Sequence, residues 1–266
     1  MRIINPSVEK WQQGYAPEDI WEHVAKCARI CYQSNAKEGE SGYDFCRRVI
    51  LNNNHLSVLE HGTVYLIIMD NPLAGFFKNN PYSRVVDATI GYCITTNLRV
   101  LKENDMMELL EDSRIPTEYH ERRTTFSFIT SIGISREFNR HRVHSISEES
   151  TRYCNYTKGK FGNEITFIKP YWIKEEIPEH PKVKSFIFAK TAHWLKALAE
   201  CELAYNNLIA LGCKPQEARS VLSLDTKTQC IHTAFNSDWN RFIRLRVSSA
   251  AQPDAIRLAT QVNDLL

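Results

Sequence analysis

Apolar residues recur at helical spacing after Pro17, with Ile20, Trp21, Val24, Cys27, Ala28 and Cys31 on one stripe and the proline placed for a first turn. A helix is predicted there, and a second over residues 43–52. Residues 63–69 are β-branched and aromatic and predict a strand. Between residues 71 and 119 the pattern weakens around Pro72, Pro81 and Pro116; only a short helix over 105–111 is expected there, and no chemistry. Regularity returns over 123–130, where Thr124, Phe126, Phe128 and Thr130 alternate on one face of a strand that leads into a helix carrying Arg136 to Arg142.

The longest helical pattern covers residues 183–211, with Phe186, Trp194, Leu198, Tyr205 and Leu208 among its apolar positions and Gly212 as its stop. Pro215 opens a short helix through Leu222, residues 228–235 predict a strand, Asp238 is the expected cap of a helix over 239–247, and Pro253 starts the last helix. Strands interspersed with helices predict an α+β or α/β domain, and we expect α+β: a mixed sheet packed with long helices in a single elaborated domain over residues 1–266. Residues 71–120 are the expected elaboration.

Composition narrows the function classes. With 33 Lys and Arg against 31 Asp and Glu, the formal charge is +2. No global field therefore draws the chain to nucleic acid or acidic lipid, and positive charge must act locally. Residues 1–10 lack an apolar signal core and no apolar run is long enough for a bilayer, so the expected compartment is the cytoplasm, with no membrane partner. The cysteines at 27, 31, 46, 93, 154, 201, 213 and 230 show no metal-ligand spacing and are expected as reduced thiols, and in the expected cytosolic compartment the sequon at Asn155 is void. His55 and His61 are expected as packing or pocket histidines rather than ligands, and Arg122 with Arg123 as a solvated pair.

The chemistry concentrates in residues 140–153, where Arg140, His141, Arg142, His144, Glu148, Glu149, Ser150, Thr151 and Arg152 precede Tyr153. Guanidinium forks and hydroxyls suit phosphate and carbonyl oxygens, which argues for a phosphorylated substrate or cofactor. The competing expectation is a solvated helix face whose ion pairs join Arg140 or His144 to Glu148.

The run Arg140-His141-Arg142, followed after seven residues by Ser150 and then by Arg152 and Tyr153, resembles the signature of flavin-dependent thymidylate synthases. Three further ordered blocks are similar to that family: His55 through Glu60-His61, Glu217 through Leu222, and Asn236 with Phe242 through Arg246 and Ala251 through Asp254. Ala28-Arg29 is a weaker match. The resemblance implies reductive methylation of dUMP to dTMP, with methylenetetrahydrofolate as carbon donor and FAD reduced by NADPH, in a homotetramer whose active sites combine several subunits.

It further implies that Glu137, Arg140, Glu148, Glu149, Ser150, Arg152, Arg219 and Arg246 lie against dUMP, and that Ser57, Arg140, His141, Arg142, Glu148, Asn236 and Asn240 lie against FAD. Arg246 is the expected catalytic residue, since a cation beside the pyrimidine stabilises the anion that makes C5 nucleophilic. Ser150 is expected to bind substrate rather than attack it, because no activating base is fixed by spacing. No metal is expected.

Two positions and one interval depart from the family. Glu137 stands where Gln is frequent, and an ionised acid only accepts hydrogen bonds. The interval from Asn236 to Arg246 is one residue shorter than in many members, and Ala250 occupies a position often held by His. Two other classes compete: a nucleic-acid module using Arg140, Arg142 and Arg152, which near-neutral charge disfavours, and a flavin-binding relative without methyl transfer, which the presence of Ser150, Arg152, Arg219 and Arg246 disfavours.

Overall fold

A computed structural model describes residues 1–34, 37–182 and 189–266. Its centre is an antiparallel sheet built from β2 (Ser7–Trp11), β6 (Arg123–Ser131), β9 (Lys227–Phe235) and β7 (Ser145–Glu148) in the order β2-β6-β9-β7. The register pairs Phe128 with Cys230 and Thr125 with Thr233. Strand alternation then sorts the chemistry of the two faces. One face carries Phe126, Phe128, Cys230 and Ala234 into an apolar core with Phe138, Trp239, Phe242, Leu258 and Val262. Thr125, Ser127, Thr233, Ser145 and Ser147 fall on the opposite, polar face, where β6, β9 and β7 share the alternation.

The apolar face is covered by α5 (Ile132–Phe138), α8 (Asn236–Arg246) and α9 (Pro253–Leu265). The polar face receives α1 (Pro17–Tyr32), whose His23 and Cys27 are buried there. Beside α1 lies α2 (Gly42–Cys46), which continues as a π-turn over Arg47–Leu51, so the expected single helix over 43–52 is broken in type. The close approach of α2 requires Gly42, because a Cβ there would come 2.6 Å from the Glu22 backbone.

Residues 71–119 are more regular than their sequence suggests. A second antiparallel sheet, in the order β3-β5-β4, is made by β3 (Thr63–Ile68), β4 (Arg84–Ala88) and β5 (Gly91–Asn97). Two helices, α3 (Asn71–Asn79) and α4 (Leu98–Glu103), pack with it, and a 3-10 turn over Met107–Asp112 stands near the expected short helix. Leu66, Phe77, Ile94, Leu98 and Leu101 join Ile20, Val24 and Phe45 in one core, so this elaboration is fastened to α1. The prolines mark element starts and turns here: Pro72 stands at the first turn of α3.

The remaining unit is a parallel pair, β1 (Arg2–Ile4) with β8 (Thr166–Ile168), packed on α6 (Ala189–Ala210) and α7 (Pro215–Ala218) through Phe167, Leu195, Leu198 and Tyr205. The fold is thus α+β, but its parallel and antiparallel pairings occupy separate sheets rather than one mixed sheet. The expected helix start at Val183 and its Phe186 lie outside the described residues. Gly212, at φ +96°, follows the end of α6, a conformation that costs glycine little.

Two further expectations are corrected. The helix expected to carry Arg136 to Arg142 ends at Phe138, and residues 145–148 are strand, so no helical i,i+4 pairing of Arg140 or His144 with Glu148 exists. Asp238 is not a cap: Phe235 holds that position and Asp238 sits in the first turn of α8, where its carboxylate complements the helix dipole.

Candidate active site

Strand β7 carries the polar signature along the sheet edge instead of into solvent, and its alternation gives Glu148 and Ser147 opposite surroundings. Glu148 accepts from Ser135 Oγ at 2.7 Å, Asn139 Nδ2 at 3.0 Å and Thr228 Oγ1 at 3.0 Å. Three donors hold that carboxylate in place. Glu149, 5% exposed, is met by Lys227 Nζ at 2.6 Å and Gln33 Nε2 at 3.2 Å. The buried carboxylate is therefore paired, as burial of an ion demands.

Where β7 ends, the chain turns under Ser150, whose N–H donates to the Cys31 carbonyl at 3.0 Å. Arg219, just after α7, reaches back so that its Nη1 donates to Thr151 Oγ1 at 3.2 Å. These contacts outline a cavity of about 770 Å³ lined by Glu148, Glu149, Ser150, Thr151, Arg219 and Arg136, with hydroxyls from Ser220 and Ser223. Glu148, Glu149, Ser150 and Arg219 were expected from sequence. Thr151 was part of the polar segment but was given no contact of its own; Arg136, Ser220 and Ser223 were missed, although Ser220 adjoins Arg219 and offered that signal.

Arg246 sits elsewhere. Its Nη1 donates to Glu137 Oε2 at 2.9 Å, its Nη2 to the Glu137 carbonyl, and its Nε to His141 Nε2 at 2.9 Å. Burial lowers the Arg246 pKa from the ordinary arginine value, opposed by Glu137. Burial, then the charges of Arg246 and Arg241, holds His141 at about 4, so its ring is neutral and free to accept. The bond from Arg246 assigns the proton of His141 to Nδ1.

A second cavity of about 540 Å³ contains Ser57, His55, Cys31 and Tyr153. Asn236 lies apart from both large cavities; its Oδ1 accepts from Thr124 Oγ1 at 2.8 Å beside a smaller recess of about 180 Å³. Asn240 is exposed on α8, and Arg140, Arg142 and Arg152 are exposed as well. The Arg152 guanidinium lies 5.4 Å from the Tyr153 ring. One chain therefore brings together Glu148, Glu149, Ser150 and Arg219, joins Arg246 to Glu137 and His141, and leaves the other expected site residues outside these two groups.

The expected solvated Arg122-Arg123 pair is half wrong. Arg122 is exposed, but Arg123 donates to the Glu60 carbonyl at 3.0 Å, Thr63 Oγ1 at 3.1 Å and Ser145 Oγ at 3.1 Å, and burial draws its pKa down to about 10. Arg123 thus clamps the two antiparallel sheets together.

Histidines fill the interior behind the site. His61 bridges Thr233 Oγ1 at 2.8 Å and Ser147 Oγ at 3.0 Å, Thr233 pairs with Thr125, and Thr125 pairs with His23 at 3.2 Å. On the other face His144 and His232 meet through their Nδ1 atoms at 3.3 Å, so one donates and one accepts. Burial leads the causes that lower His23 to about 4, His232 to about 3 and His144 to about 2, and His61 well below its usual value. The folded chain refuses protons that the unfolded chain takes up below about pH 6.5. Stability is therefore full above that pH and falls as pH drops from 6.5 toward 4, by up to about 1.4 kcal/mol per pH unit for each such histidine. Urea midpoints at pH 7.5 and pH 5 measure it; equal midpoints would remove the buried neutral histidines from the account. Among the described residues no group of three or more His, Cys, Asp or Glu is arranged for a metal, and no helix is long and apolar enough to cross a membrane.

An α+β chain with a cavity of arginines, hydroxyls and fixed carboxylates has the features of a nucleotide-binding enzyme. The comparisons make the class specific. Residues 102–266 match the family model described as thymidylate synthase complementing protein, and the chain belongs to that family, the flavin-dependent thymidylate synthases. The match starts beyond His55, Ser57 and His61. A flavin-dependent thymidylate synthase of Thermosipho melanesiensis is 25% identical over 167 residues, 60% of this chain and 70% of the relative. Two solved structures are similar at lower identity. A UMP/dUMP methylase, PolB of Streptomyces cacaoi with 5-Br UMP, has a TM-score of 0.49 at 16% identity, covering 100% of this chain and 90% of its own. Thymidylate Synthase X of Helicobacter pylori with FAD and dUMP has 0.43 at 17%, covering 98% and 93%.

Proposed function

We propose that the chain converts dUMP to dTMP by reductive methylation, with methylenetetrahydrofolate as carbon donor and NADPH as the source of electrons for FAD. The observation that carries this reading is the meeting of Ser150 and Arg219, 69 residues apart by their numbers, at one cavity with Thr151 between them. Two guanidiniums, Arg219 and Arg136, and the hydroxyls of Ser150, Thr151, Ser220 and Ser223 form a donor set that fits a phosphate dianion. Glu148 and Glu149 stand where neutral donors of a nucleoside are accepted, and repel a misplaced phosphate.

Arg246 acts at the pyrimidine. Its guanidinium is oriented by Glu137 and His141 before substrate arrives, and the N–H groups left over would stabilise charge that develops on the uracil carbonyl oxygens. Reduced flavin supplies a hydride when bound. Ser57, His55 and Tyr153 flank an apolar-floored cavity that would hold part of such a cofactor, while Arg140, His141, Arg142, Glu148, Asn236 and Asn240 would complete its contacts across subunits. Arg140 and Arg142 form no side-chain hydrogen bond or ion pair among the described residues, which suits them to a neighbouring copy. The assembly is a homotetramer with shared sites, the whole of residues 1–266 forms one catalytic domain, and the enzyme works in the cytoplasm.

Purified protein should be yellow or take up FAD, and should form dTMP from dUMP only when methylenetetrahydrofolate and NADPH are both present. A protein that neither carries nor takes up flavin contradicts the reading. Flavin reduction by NADPH with no dTMP would favour the relative without methyl transfer.

A further inference from the structure

Helix α4 belongs to the elaborated segment for which no chemistry was expected, yet Arg99 and Glu103 from it line the 540 Å³ cavity together with His55, Ser57 and Tyr153. The helix is anchored firmly enough to serve as a wall. Asn97 Oδ1 accepts from the Arg99 and Val100 N–H groups at 3.0 and 3.2 Å, the Leu98 N–H donates to the Gly62 carbonyl at 2.9 Å, and Leu98 and Leu101 are fully buried. Arg99 and Glu103 are one turn apart and share a face.

The charges on that wall select the ligand. Arg99 Nη1 donates to Glu60 Oε1 at 2.6 Å and Arg99 Nε to Glu103 Oε1 at 2.8 Å. Two carboxylates on one guanidinium leave a local excess of negative charge, which disfavours phosphate and favours hydrogen-bond donors. Glu103 is committed through one oxygen and leaves Oε2 for a ligand. Val49, Ile50 and Val58 supply an apolar floor of the sort that takes a flat ring.

We propose that α4 is a wall of the flavin site and that this cavity holds an uncharged part of the cofactor, a planar heterocycle on the apolar floor whose adjoining hydroxyls donate to Glu103. The inference rests on the flavin reading above. Isoalloxazine with its ribityl chain and adenine with its ribose share this chemistry, and competition distinguishes them.

The test uses the full chain and FAD, with binding followed by flavin fluorescence and apo-protein melting as the folding control. Glu103→Ala should weaken FAD roughly tenfold, as expected for loss of hydrogen bonds to a charged acceptor. Glu103→Gln should weaken it less and carries the readout should the alanine variant fail to fold; Lys102→Ala, on an exposed position of the same helix, should bind as wild type. Riboflavin competing with FAD in wild type but not in Glu103→Ala assigns the flavin half, and adenosine doing so assigns the adenosine half. Unchanged FAD binding in Glu103→Ala, or competition by neither molecule, overturns the proposal while leaving the enzyme a flavoprotein. Tighter binding in Glu103→Ala also overturns it, since that is the response of a pyrophosphate relieved of a repelling carboxylate. Failure of wild type to bind FAD at all defeats the flavin reading itself.

Discussion

Arg246→Ala lowers kcat by roughly 10²–10³-fold, the range seen when a preorganised donor to a developing anion is removed, while dUMP affinity changes much less. Glu137 and His141 hold three edges of the guanidinium, so its orientation is set in advance and no reorganisation is needed as the pyrimidine gains charge. Arg246→Lys should recover little, because a single ammonium cannot meet those fixed acceptors together. Rapid-quench measurement of dTMP formation in one turnover, beside dUMP binding by calorimetry, separates the two effects. Normal single-turnover chemistry with weakened dUMP binding would make Arg246 a binding residue only.

Arg219→Ala produces the complementary pattern. Removing a charge-assisted contact to phosphate costs about 1.5–3 kcal/mol, so dUMP binding should weaken by roughly 10–100-fold, with kcat at saturating dUMP largely kept. The nucleoside deoxyuridine, which lacks the phosphate, should bind wild type and variant alike. Equal losses for dUMP and deoxyuridine would place Arg219 away from the phosphate. Because Arg219 touches Thr151, Thr151→Val is expected to move in the same direction, through loss of the hydroxyl that orients the guanidinium.

Much of this was legible in the chain where physical pattern is strong. The stripe after Pro17 gave α1, and the alternation of Phe126 and Phe128 gave the apolar face of β6, because apolar periodicity directly reports the buried face. The signature pattern pointed to the right family. Other features depended on partners distant in sequence. Residues 145–148 looked like a solvated helix because Ser145, Ser147 and Glu148 are polar, but β9 supplies their backbone partners and His61, Ser135 and Thr228 their side-chain partners. Tertiary context overrode composition there.

Arg123 misled for the same reason: a cation beside a second arginine suggests solvent, and only the folded sheets reveal the carbonyl and hydroxyls that accept from it. Of the second sheet only β3 was legible, from its β-branched and aromatic run; β4 and β5 lie in the segment where Pro72, Pro81 and Pro116 weaken the pattern. The grouping within one chain was also beyond the sequence. Arg219 joins Ser150 and Thr151, whereas Arg246 joins Glu137 and His141, and these are separate clusters in a single copy.

That separation gives the central claim its sharpest test. If each active site takes Arg219 from one subunit and Arg246 from another, Arg219→Ala and Arg246→Ala proteins, each impaired alone, should complement when unfolded together and reassembled. Random mixing in equal amounts should leave about one site in four with both arginines intact. Activity at limiting dUMP should rise toward that fraction of wild type, above the mean of the two parents. Mixed oligomers verified by differential tagging that show no activity beyond that mean would contradict a nucleotide held jointly by the two clusters.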